Sequence, residues 1–344
     1  MTIYYGDSVR TACERIAQKI VADLQQGKLA WVRPHNIAET RPFNVVRRVR
    51  EKQRAVYTGV NRLFLDLQCW SNGWSTPAFL TVEQLKKLNP ERDPDGPRLK
   101  RVDGGVPLSH DDWRTHGQIG SVALLFKQRT SWQRDGKVVP EGTEGAEERM
   151  SAYGRSYLLF NVEQCVNLPA DILEAVTVAR SERAPTLPSG SIARALEGLR
   201  LRGGVQPSHV PCYIPSKDGI GMPPAEAFVS QQALDATWLH EMGHACGHAS
   251  RCGREQRESK NTRNQVIAAY AREELCAEFT SAFAQEAFGL PAPDTLNHAA
   301  YLQHYIELLK AEPEVLVWAA SQAEKRTNLL VELASERISS AAAE

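Results

Sequence analysis

The sequence predicts an α+β fold: a mixed N-terminal domain over residues 1–170, a linker at 171–190 and a mostly helical second domain over 191–344. Three observations carry the prediction. Apolar runs at 121–126 and 155–161 have strand character within a half that also carries helical stripes. A Pro- and Ser-containing stretch at 181–190 has linker composition, and helical periodicity dominates after it. With 344 residues, 42% of them hydrophobic, the chain can build two cores of ordinary size.

In chain order, Asp7 or Ser8 caps a helix whose stripe of Val9, Ala12, Ile16, Ile20 and Leu24 ends at Gly27. Residues Tyr57 to Leu67 read as the start of a second helix, and a short third one spans 81–88. Residues 90–118, rich in Pro, Gly and Asp, read as an excursion, and a polar loop at 134–148 separates the two apolar strands. Beyond the linker, a helix at 192–201 precedes short strands at 212–214 and 219–222, then a helix around His240 and another over 265–288. Helices at 296–311 and 313–338 close the chain.

No run of eighteen apolar residues occurs, and the amino terminus lacks a basic patch followed by an apolar core. The expectation is a cytoplasmic protein with no membrane partner. Seven cysteines, an odd number without pairing rhythm, suit a reducing compartment.

Charge is uneven although it sums to zero. Residues 1–170 hold 25 Lys+Arg against 19 Asp+Glu, and residues 171–344 hold 16 against 22, so the halves stand at +6 and −6. Most of the positive excess lies between Arg41 and Tyr57, where Arg47, Arg48, Arg50, Lys52 and Arg54 sit among Phe43 and Tyr57. Cations interleaved with aromatics can neutralise phosphates and stack bases, which makes these residues, with Asn61 nearby, candidates for a single-stranded DNA surface. The competing readings are a solvated charged hairpin for the run, a core position for Tyr57 and a structural cap for Asn61. A neutral chain is a poor mimic of DNA itself.

The chemistry-bearing motif is His240-Glu241-Met242-Gly243-His244, an H-E-x-x-H. Residues four apart share a helix face, so two imidazoles can meet one ion. Catalytic zinc takes three protein ligands and keeps one open position. Glu241 then stands where it can take a proton from a zinc-bound water whose pKa falls toward about 7. His248 is a poor third ligand, because eight residues place it about 12 Å further along the helix axis. A metzincin would need histidine where Ser250 stands. Glu274 and Glu278, four apart on the 265–288 helix, offer carboxylates from a second rod, and Glu273 lies about 100° away around it. Cys246 and Cys252 lack the second pair of a zinc finger and read as ordinary thiols. Resemblance to the gluzincin arrangement implies Glu274 as the third ligand and Glu278 as the outer partner of a histidine.

Six ordered segments then resemble one family, the ArdC-like antirestriction proteins of mobile elements. They are Arg41-Pro42-Phe43-Asn44, Tyr57-Thr58-Gly59-Val60-Asn61, residues 157–164, residues 213–223, the histidine motif through His248, and residues 270–278. The resemblance implies a first domain that binds single-stranded DNA and a zincin-like second domain. It also implies protection of incoming DNA from host restriction, with a host protein as the substrate of any peptidase activity. A non-enzymatic DNA-coating protein with a structural metal site is the other reading. The sequence departs from the family pattern in an insertion at about 89–116 and in Ala245-Cys246 after the second histidine.

Overall fold

A computed structural model describes the chain apart from residues 1, 6, 32–40, 52–54, 106–118, 135–136, 146, 182–189, 254–262, 292–301 and 342–344. It is α+β. After strand β1 (Thr2–Tyr5), helix α1 (Asp7–Gln25) buries Val9, Ala12, Cys13, Ile16, Ile20 and Leu24, the stripe that the spacing predicts. The chain leaves it through Gly27 at φ +73°, a left-handed conformation that costs glycine little.

The basic run is not a hairpin. It forms a two-residue strand β2 (Phe43–Asn44) and helix α2 (Val45–Glu51), while Lys52 and Arg54 lie outside the described residues. Helix α3 (Gly59–Asn72) starts two residues after Tyr57 and extends five beyond Leu67. Strand β3 (Ala78–Thr81) leads into α4 (Val82–Leu88) through a capping box: the Gln84 amide donates to Thr81 Oγ1 at 3.1 Å and the Thr81 amide to Gln84 Oε1 at 2.9 Å. Within the expected excursion, β4 (Arg98–Leu99) pairs with β8 (Cys165–Val166).

The two apolar strands are the base of a much longer ribbon. β5 (Ser121–Arg134) and β7 (Glu147–Asn161) pair antiparallel from Ser121↔Leu159 to Gln133↔Glu147, and β6 (Lys137–Val139) folds back on β5. Most of the polar loop expected at 134–148 is therefore strand or tight turn. Residues such as Lys137, Val138 and Glu147 are exposed there, so the ribbon tip is held by backbone pairing and shows no apolar alternation to read. β7 is central to the sheet, with β5 along one edge and β3 and β1 along the other.

The first part of the segment expected as linker is helix α5 (Ala170–Ser181), which buries Ile172 and Val176 against Phe43, Leu80 and Phe160. After α6 (Ser191–Gly198) come three short strands, β9 (Gly204–Pro207), β10 (Cys212–Ile214) and β11 (Gly219–Met222). β11 is the middle strand, and β9, not anticipated from the sequence, is one edge. Helices α7 (Gln231–Cys246), α8 (Arg263–Ala287), α9 (Leu302–Ala311) and α10 (Val315–Ala341) complete the fold.

The largest apolar cluster draws on both halves of the chain, joining α1 and α3 to α8, α9 and α10. A buried ionic network crosses the same boundary. Arg62 of α3, fully buried, pairs with Glu286 of α8, lies 3.6 Å from Glu324 of α10 and 3.8 Å from Asp66, and stacks its guanidinium 4.0 Å from the Phe283 ring centroid. Arg41 donates to Glu324 Oε1 at 2.9 Å. Removing one member of such a cluster strands its partners away from water. Arg62→Met should cost about 3–5 kcal/mol of unfolding free energy, read from denaturant midpoints at constant slope. A loss below about 1 kcal/mol would class the network with solvated surface pairs.

Candidate metal centre

Helix α7 starts at Ser230, whose Oγ accepts from the Ala233 amide at 3.1 Å. It ends where Arg251 turns back, its Nε donating to the Ala245 carbonyl at 2.8 Å and its guanidinium pairing with buried Asp218. Tyr213 also donates to Asp218, at 2.8 Å, so the β10–β11 turn is pinned to the end of this helix. Burial disfavours the charge on Asp218, yet Arg251 and Tyr213 overcome it and bring the carboxyl down to about 2.

α8 crosses α7 closely at Gly243. A Cβ built there would stand 3.1 Å from Thr280 Cβ, so any larger residue presses the two helices apart. Ser281 Oγ donates to the Ala236 carbonyl at 2.8 Å across the same interface. Both helices are nearly dry here: His240, Glu241, His244, Glu274 and Glu278 are all buried.

At this crossing three side chains converge. The Nε2 atoms of His240 and His244 are 3.1 Å apart, Glu274 Oε2 lies 3.4 Å from the first and Glu274 Oε1 3.4 Å from the second. The three residues offer ligand atoms within 4.8 Å of one another, the one such group of His, Cys, Asp or Glu among the described residues. Ligands about 2.0–2.1 Å from a tetrahedral zinc are separated by about 3.3 Å, so the donor set has the spacing and the chemistry for that ion.

A carboxylate faces the other nitrogen of each imidazole, hydrogen-bonded at His244 and within ion-pair distance at His240. Glu278 Oε1 lies 3.5 Å from His240 Nδ1, and Glu273 Oε1 lies 3.3 Å from His244 Nδ1. A protonated Nδ1 facing a carboxylate turns the Nε2 lone pair toward the shared centre. Glu273 is itself held by Arg326 of α10, with Nη1 and Nη2 each 3.0 Å from a carboxylate oxygen. Arg326 is fully buried and also donates to the Gly243 carbonyl at 3.1 Å. Burial opposes ionisation of Glu273 and Glu274. The imidazoles, with Arg326 in the case of Glu273, reverse this and hold Glu273 at about 2 and Glu274 well below the usual carboxylate range. His248 stands apart, bonded to Ser250 Oγ at 2.7 Å, and the described thiols of Cys246 and Cys252 are free.

The candidate DNA residues are not gathered in this way. Arg47 pairs with Glu51 at 3.1 Å and Arg50 with Asp171 at 3.0 Å, both on the exposed face of α2, and the Arg48 guanidinium lies 5.1 Å from the Phe43 ring centroid. Tyr57 packs at the edge of a cluster with Leu65, Phe79 and Leu159, and its hydroxyl accepts from Asn44 at 3.3 Å. The Asn61 side chain bridges both backbone groups of Leu124, donating at 2.7 Å and accepting at 2.6 Å. Sequence reasoning did not anticipate Arg326, Asp218 or Arg251. Of the three, only Asp218 lies in a segment singled out from the sequence, residues 213–223.

Comparison with known proteins gives both halves a counterpart. Residues 10–95 match the N-terminal domain of anti-restriction factor ArdC, and residues 199–322 match the zincin-like metallopeptidases. The chain is 26% identical over 330 residues to a DNA primase TraC of Escherichia coli, covering 94% of itself and 27% of the primase. It is thus similar to about a quarter of that protein's length. An uncharacterized protein y4eC of Sinorhizobium fredii, 26% identical over 317 residues, is matched over 91% of this chain and 89% of its own. The fold is that of the antirestriction protein ArdC of plasmid R388. The metal-free crystal structure superposes with a TM-score of 0.62 at 24% identity, covering 94% of this chain and 97% of that one. A Mn(II)-bound structure of the same protein gives 0.61 at 23% identity, covering 94% and 98%.

The carboxylates also set the pH behaviour of the metal-free protein. Burial alone would lower the His244 pKa, but Glu273 and Glu274 raise it from 6.5 to about 9. A folded-state pKa above the unfolded one adds stability that is fully present below 6.5 and lost as pH climbs through 9. Denaturant midpoints of chelator-treated protein should therefore fall between pH 6.5 and 9. Glu273→Gln should shrink that fall, and a flat profile in the parent chain would contradict the cage.

Proposed function

We propose that this ArdC-like chain, with an ArdC N-terminal domain followed by a zincin-like domain, binds single-stranded DNA and shields incoming strands from restriction. We further propose that its second domain is a zinc-dependent peptidase acting on a host protein. His240, His244 and Glu274 are the ligands in this reading, Glu278 orients His240, and Glu241 is the catalytic base. The observation that carries it is the convergence of two carboxylate-backed imidazoles and one carboxylate at a dry helix crossing. A purely structural ion would have no use for a buried glutamate between the two histidines, and three protein ligands, one fewer than a closed structural zinc site takes, favour the catalytic reading.

A bound divalent ion supplies Lewis acidity and a water whose pKa falls toward about 7. With an ion held by His240, His244 and Glu274, buried Glu241, next in sequence to the first histidine, would serve as the proton acceptor and donor of the site. Glu278 and Glu273 keep the two imidazoles in the tautomer that leaves Nε2 free for the ion. β10 is an edge strand packed on α7, and its outer side offers main-chain groups to an extended peptide. Among the described residues no helix is long and apolar enough to cross a membrane, and the cytosol is the compartment in which we place the activity.

Glu241→Gln should leave one ion per chain, by metal analysis, and unchanged single-strand affinity while abolishing peptide cleavage. Glu274→Gln should weaken zinc binding by more than the roughly 10–100-fold that loss of an outer partner costs. A full complement of tightly held zinc in Glu274→Gln would overturn the ligand assignment. Protection of transferred DNA that survives Glu241→Gln would separate it from turnover.

For the DNA face, Arg47, Arg48 and Arg50 replaced together by Gln should flatten the salt dependence of single-strand affinity. Each lost phosphate contact removes about 0.7 from the slope of log K against log salt, readable by fluorescence anisotropy. An unaltered slope would move the face away from α2.

A further inference from the structure

We infer that Arg326 is a positioning residue of the metal centre: its fork holds Glu273 in the outer ring and fixes the His244 imidazole through it. This rests on the metal-site reading above.

Helix α8 presents two successive glutamates to the same histidine. Glu274 Oε1 lies 3.4 Å from His244 Nε2 and Glu273 Oε1 lies 3.3 Å from His244 Nδ1. Both are short, strongly acidic side chains from one turn, and both have an oxygen on His244. Their roles differ because of what stands behind them. Glu274 has its second oxygen on His240, whereas both Glu273 oxygens are taken by Arg326 at 3.0 Å. A planar guanidinium matches a carboxylate through two parallel hydrogen bonds and so fixes its plane as well as its place.

The same guanidinium donates to the Gly243 carbonyl at 3.1 Å, one residue before His244 on the ligand helix. Arg326 thus locks the carboxylate and the backbone that carries the imidazole into one frame. It does so from a third helix and without exposure to solvent. Lysine keeps the charge but offers a point cation, which cannot fill two coplanar oxygens and a carbonyl in this arrangement.

The test uses the full chain carrying Arg326→Lys, Glu273→Gln and both together. Zinc affinity is measured by chelator competition on protein shown to be folded by circular dichroism, and the visible absorption of the Co(II)-loaded chain is recorded. Arg326→Lys should bind zinc roughly 10–100-fold more weakly, in the range of losses at outer-ring partners. Its Co(II) bands should also change, as the His244 ring loses its fixed orientation at the ion. Because both changes break one contact, the double variant should bind no more weakly than the weaker single one. A folded Arg326→Lys with parental affinity and spectrum, or strictly additive losses, overturns the inference and leaves the metal centre standing. Should Arg326→Lys fail to fold, Glu273→Gln alone reads the contact, and unchanged affinity there overturns it. A parental chain that takes up no ion sinks the metal-site reading itself.

Discussion

Glu273, Glu274, Glu278 and Glu286 lie along one helix, α8, that also carries Leu275, Phe279 and Phe283 in the largest apolar core. Carboxylates taken this far from water must each find a counter-charge or a donor, since an unpaired buried ion is among the most expensive defects a fold can hold. Their principal partners come from three other helices. His240 and His244 arrive on α7, Arg326 on α10, and Arg62 on α3. The packing order of the helices around α8 is in this sense an answer to its acids.

α10 serves two of these demands with residues only two apart. Glu324 and Arg326 are separated by about 200° around the helix, so they face opposite sides. Glu324 receives Arg41 and Arg62 from the N-terminal half, and Arg326 receives Glu273 at the metal centre. Helix α1 and helix α3 complete the seal by sharing one apolar cluster with α8, α9 and α10. Helices α1 and α3 and the helix that carries Glu273 and Glu274 therefore share one apolar core.

The parts of this that were legible in the sequence are the local ones. A four-residue spacing places His240 with His244, and Glu274 with Glu278, whatever else the chain does, and the second pair is recovered on one buried face. The stripe of α1, the short helix at 81–88 and the strands β10 and β11 follow from the same short-range rules. Arg326 was invisible because its meaning lies in a carboxylate 53 residues away, and nothing in the helical pattern around it marks a cation as buried. The reach of β5 and β7 was hidden for the opposite reason: backbone pairing holds that ribbon where side chains face water. Helix α5 read as linker because its apolar residues, Ile172 and Val176, make a short stripe beside a Pro-rich stretch.

The same division between buried and exposed charge bears on how the +6 of residues 1–170 should be read. Arg41 belongs to the basic run by sequence, yet with Arg62 it is neutralised by Glu286 and Glu324 from the acidic half. Arg62 is sealed inside the fold, and Arg41, with 21% of its side chain exposed, is already engaged by the same two acids. Arg47 and Arg50 are different, since Glu51 and Asp171 hold them at about half exposure. Exposed pairs of this kind contribute at most about 1 kcal/mol. A phosphate, bringing stronger charge-assisted hydrogen bonds and releasing its counterions, can replace the carboxylates at small cost. Which arginines of a basic stretch are free to meet a nucleic acid is thus decided by the acids that the fold brings to them, more than by their number.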